Sequence, residues 1–150
     1  MTTDTQASAA QRAVTGAGPW GTALALFACG VGLFQVGLAA GAPWGAAAWG
    51  GTNPGVLPAG LRVASGVSAL VWFGVAAVAA GRLLGPVGRR RLLLGVAAYS
   101  TLGIAMNAAS PSGVERAVWV PATVVGAGLA WMAWRESRRR HVVGASLRGA

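Results

Sequence analysis

The side chains that could do chemistry in this chain are few, and most lie near the ends of apolar stretches. Gln35, Arg62, Ser65, Ser68, Asn107, Ser110, Ser112, Glu115 and Arg116 stand where a helical bundle would gather them at one end. Trp44 and Trp49 lie between Gln35 and Arg62, and Trp119 follows Glu115 by four positions. These types suit holding a ligand. A guanidinium at Arg62 or Arg116 would take a carboxylate or an anionic headgroup, and indoles would cover an apolar body. The candidate ligand-binding set is therefore Gln35, Trp44, Trp49, Arg62, Ser65, Asn107, Glu115, Arg116 and Trp119. The same residues admit a structural role. Arg62 would snorkel or pair with Glu115, the acid read as the only one near a span. Glu115 would cap its own helix and meet its positive dipole. Gln35, Ser65 and Asn107 would be interhelical hydrogen-bond glue.

Several chemistries lack their residues. No Asp or Glu falls inside an apolar stretch, so proton-coupled antiport has no embedded acid. Cys29 is the single cysteine, which excludes an intrachain disulfide, and it reads as a small apolar filler. His141, the one histidine, sits in a basic run beyond the last stretch, so haem has no axial pair. No metal-ligand cluster and no Ser/His/acid set is present. No catalytic residue, cofactor or metal is assigned.

The elements that must position these residues are four apolar stretches, 20–41, 61–81, 92–109 and 117–134. Each has about the 17–25 residues a helix needs to cross hydrocarbon. Charged residues are 10% of the chain and hydrophobic ones 55%, too little charge to cover a soluble surface. The net charge of +9 invites a nucleic-acid partner. The arginines instead cluster at the ends of spans, without aromatic stacking partners along a groove, so none is expected. The fold class is all-α: one four-transmembrane-helix bundle, up-down-up-down, with helices over about 19–41, 58–81, 91–109 and 113–135. A disordered N-terminal tail, 1–18, precedes it, and a basic tail, 136–150, follows. The first span is longer than the 7–15 residues, roughly, of a signal-peptide core and is kept as a mature helix.

Ten of the twelve arginines fall on one side of these spans; Arg62 and Arg116 fall on the other. Positive charge marks the cytoplasmic side, so both termini are cytoplasmic and the uncharged 41–60 connection is outside. Trp20, Trp131 and Trp134 mark the inner interface, and Trp44, Trp49 and Trp119 the outer one. Pro43 would open a short interfacial helix through Trp49, and Thr52-Asn53-Pro54-Gly55 is turn chemistry. Ser112 and Glu115 have the capping-box spacing, and Pro121 should kink the fourth helix. Small residues at Gly37/Gly41/Gly45, Gly95/Gly103 and Ala122/Gly126/Ala130 would let helices approach closely within one monomer.

The run Gln35-Val-Gly37-Leu-Ala-Ala-Gly41-Ala-Pro43-Trp44-Gly45, with Trp49-Gly50-Gly51, Leu57-Pro58, Arg62 and Ser65, resembles the first half of a family of small, uncharacterised four-helix membrane proteins, bacterial and actinobacterial in type. Asn107, Ser110, Ser112, Glu115-Arg116, Trp119 and Pro121 resemble its second half. The resemblance covers about residues 20–134. It implies the four-helix topology and a bacterial inner-membrane location, and no established activity.

The expectation is a non-enzymatic multi-pass membrane protein with the bilayer as its partner and a pocket for a lipid or small anion at its extracytoplasmic end. It would act alone, as a homo-oligomer or as an accessory subunit. One alternative is a small transporter or channel, which needs a continuous polar path from Gln35 past Ser65, Ser68 and Tyr99. The other is a membrane enzyme acting on a lipid-like substrate, with Glu115 as its base.

Overall fold

The structure is a computed structural model that describes the backbone of residues 17–146 and the side chains of residues 17–140. Of the tails expected at 1–18 and 136–150, residues 1–16 and 147–150 lie outside the described residues. The regular structure described is helical: α1 Pro19–Ala40, α2 Ala59–Ala79, α3 Pro86–Ala108 and α4 Gly113–Ser146, with two short 3₁₀ turns between α1 and α2. Three helices are long and apolar enough to cross a membrane: α1, α2 and the Gly113–Arg140 part of α4. The stretch 92–109 is not a fourth on that measure, because α3 begins with Arg89-Arg90-Arg91 in its first turns.

Two helices differ from their expected bounds. Pro86 opens α3 at its first position, where its missing N–H costs nothing, so the arginines expected in a turn are helical. The basic segment after residue 135 continues α4 through to Ser146. Glu136 and Arg140 pair there at 3.5 Å one turn apart, and the Arg138 guanidinium lies 5.0 Å from the Trp134 ring centre. α4 also runs through Pro121 without ending.

α1 packs along α2, α3 along α4, and α1 along α4, whereas α2 and α3 touch sparsely. The larger buried core is mostly alanine: Ala28, Ala79, Ala97, Ala130 and Ala133 are fully buried, with Leu24 and Leu93 between them. Large apolar residues point outward instead, including Leu26, Leu70 and Leu102, which are 61–73% exposed. In water each such leucine would forgo roughly 2 kcal/mol of burial. Small side chains inside and large ones outside is the arrangement that lipid permits, since hydrocarbon exacts no penalty for apolar exposure and close approach supplies the packing.

Helix ends are closed by a recurring device. Arg62, Arg89 and Arg116 are each the fourth residue of their helix. Arg62 and Arg89 reach back to carbonyls at the close of the preceding helix, and Arg116 to the Ser110 carbonyl in the turn after α3. Arg62 Nε donates to Ala39 O at 3.0 Å; Arg89 Nε and Nη2 donate to Val78 O and Ala79 O at 3.1 and 2.8 Å; Arg116 Nη1 donates to Ser110 O at 2.5 Å. The last carbonyls of a helix lack partners and carry its negative pole, so a guanidinium there satisfies both. Gly41, at φ 97°, adds a Schellman cap, with Ala42 N donating to Gly37 O at 2.9 Å. α1 therefore ends before Gly41. The expected Gly37/Gly41/Gly45 stripe is not a helix face: Gly37 makes room for the Trp44 ring, and Gly45 N bonds Gly55 O at 2.9 Å to close the loop.

Candidate functional site

The 41–58 connection folds over one end of the bundle. In place of the expected interfacial helix it makes two 3₁₀ turns, Gly45–Ala47 and Trp49–Gly51. Its Ala48 and Leu57 bury against Leu38, which gives the loop a small core of its own. Four bonds fix it to the helices. Ser112 Oγ donates to Ala46 O at 2.8 Å, and Trp119 Nε1 to Ala47 O at 2.6 Å. Gly50 N donates to Glu115 Oε1 at 3.1 Å, and Trp49 Nε1 to Ser65 Oγ at 3.0 Å. Trp49 takes a left-handed backbone, φ 54°, rare for so large a residue, and the Ser65 bond holds it there.

Glu115 is the hub of this end and is only 8% exposed. Half of the expected capping box forms: Glu115 N donates to Ser112 Oγ at 3.1 Å. The reciprocal bond does not, because the Ser110 hydroxyl takes the Ser112 amide at 3.2 Å. That leaves the Glu115 carboxylate to accept from Gly50 N and from the Ser110 hydroxyl. The expected Arg62–Glu115 pair is absent, since Arg62 is engaged on α1. Among the described residues the ion pair is Glu136–Arg140, at the other end of the bundle. Glu136 also accepts from Gly21 N at 3.4 Å, so Glu115 is not the only acid at a helix end.

Beneath the loop lies a cavity of about 310 Å³, at the small end of the roughly 300–1,000 Å³ of ligand pockets. Of the expected set, Gln35, Trp49, Asn107, Glu115 and Trp119 line it. Ser65 stands behind, as the acceptor for Trp49. Trp44 lies outside, stacked on Phe34 at 5.7 Å, and Phe34 meets Trp119 edge-on at 5.0 Å. Arg62 and Arg116 do not line it; each donates to a backbone carbonyl instead. The cavity contains side chains that sequence reasoning passed over: Phe27, Phe34, Trp72, Ser100 and Thr123. Nothing in an apolar run distinguishes a Phe facing a cavity from one facing lipid, so only Trp72, the one mid-span Trp, carried any signal.

The cavity reaches from the loop to Tyr99 and Phe27. The eight residues from Asn107 to Tyr99 span about 12 Å of helix. Ser68 and Trp72 of α2 and Tyr99 and Gly103 of α3 line it across the sparsely packed seam, where Tyr99 is 67% exposed. Gln35 Oε1 is buried and accepts no hydrogen bond among the described residues. These residues include no group of His, Cys, Asp and Glu that could hold a metal. Comparison with protein-family models, with curated proteins and with solved structures finds no match to this chain.

Proposed function

We propose that the chain is a non-enzymatic, four-span integral membrane protein that binds a lipid-like amphiphile under the 41–58 loop. On this reading α3 is the fourth span, its arginines lie at the cytoplasmic edge, and both termini are cytoplasmic. Support for α3 comes from its packing along α4 and from Arg89, whose charge rests on the closing carbonyls of α2. The observation that carries the binding reading is a cavity lined by six aromatic rings, with Asn107 and Glu115 on its wall. The α2/α3 seam, flanked by Tyr99, is the expected portal from the bilayer, because those helices leave it least packed. Arg62 and Arg116 do not line the cavity, so the ligand's polar end meets Asn107 and Glu115 rather than a guanidinium. Below the cavity the Leu24/Leu93/Ala97 cluster is closed and apolar, which favours a binder over a channel.

Native mass spectrometry of protein released from mild detergent tests this. A retained amphiphile is expected on the wild-type chain and should be lost in Gly103→Phe, whose ring would fill the cavity beside Thr123. A wild-type spectrum of bare protein alone, with lipid supplied throughout purification, would sink the reading.

A further inference from the structure

We infer that the amphiphile is a cation: an ammonium group carried on an apolar body. This deepens the binding reading and rests on it. Twelve of the chain's charged residues are basic and three acidic, yet the one charged residue lining the cavity is Glu115. Six aromatic rings line the same space: Phe27, Phe34, Trp49, Trp72, Tyr99 and Trp119. Ring faces are negative and attract an ammonium, most strongly when water is excluded. Glu115 is buried, held by the Gly50 amide and the Ser110 hydroxyl, and forms no ion pair among the described residues. An anionic head would be repelled by that carboxylate. A cationic head is attracted to it and to the surrounding rings, while its chain lies along Val31 and Trp72 toward the seam.

The shared chemistry has two sources, an ammonium-headed bilayer lipid or a free long-chain amine. Tryptophan fluorescence of the full chain in uncharged maltoside micelles, titrated with decylamine (protonated at pH 7), decanol and decanoate, separates charge from chain length. Decylammonium should saturate about tenfold or more tighter than decanol, with decanoate weakest. Glu115→Gln should weaken decylammonium about tenfold and abolish its preference over decanol. Adding phosphatidylethanolamine should raise the apparent Kd for decylammonium if the source is lipid, and leave it unchanged if the source is a free amine. Equal competition by phosphatidylglycerol would overturn the charge preference. Decanol binding as tightly as decylammonium overturns the inference and leaves the pocket standing; no saturable binding by any probe removes both. The selectivity of the unaltered protein is read without a variant, so poor folding of Glu115→Gln does not shelter the proposal.

Discussion

Glu115 accepts the Gly50 amide and the Ser110 hydroxyl while its own amide closes the α4 cap. Replacing it with Ala strands two donors. Glu115→Ala should therefore cost about 2–4 kcal/mol, and Glu115→Gln clearly less, measured as unfolding midpoints in detergent. Ser65→Ala removes the acceptor that holds the Trp49 indole, at about 1 kcal/mol, and should raise the accessibility of Trp49 to aqueous quenchers. A quenching profile identical to wild type would show the loop held by its α4 bonds alone. Side-chain type made Glu115, Trp49 and Trp119 visible as candidates. It did not reveal partners: Arg62 could reach either Glu115 or the end of α1, and the choice depends on where the loop places Gly50.

At the scale of elements, the arginine at the fourth position of α2 and of α3 closes the preceding helix, and that of α4 binds the turn after α3. The effect should track burial and bond count. Arg89→Ala should destabilise most, because Arg89 is 6% exposed and makes two such bonds, Arg62→Ala less, and the exposed Arg116→Ala least. About 1–3 kcal/mol for Arg89 down to a few tenths for Arg116 is the expected span in a detergent unfolding series. Equal losses at all three would show that the caps contribute only through charge. Gly41→Ala tests the neighbouring device: a Cβ at φ 97° should cost about 1 kcal/mol in the same assay. The helices themselves were legible from length and apolarity. Their ends were less so: a run of arginines reads equally as turn or as first helical turn, and Pro86 decided it.

For the whole molecule, the proposed orientation can be measured with the chain's own economy of cysteine. In a Cys29→Ala background, Thr52→Cys in the loop should react with an impermeant maleimide in intact cells, and Ser137→Cys on α4 only after permeabilisation. Labelling in the opposite sense would invert the topology, and with it the side on which the cavity lies. By itself, the sequence determined that the chain is helical with stretches apolar enough to span a membrane, because long apolar runs with scarce charge satisfy their backbone groups within a helix. It also determined which end carries the polar groups, because span ends are fixed by counting residues. The tertiary structure alone decided what those groups do. It set Arg62 on a helix end and Arg116 on a turn carbonyl, left Glu115 without an ion pair among the described residues, and turned six scattered aromatics onto one cavity. The reason is rotational. An all-apolar helix has almost no polar face to mark its orientation, so which side turns inward is set by small residues in contact with neighbouring helices, and those contacts exist only once the bundle has formed.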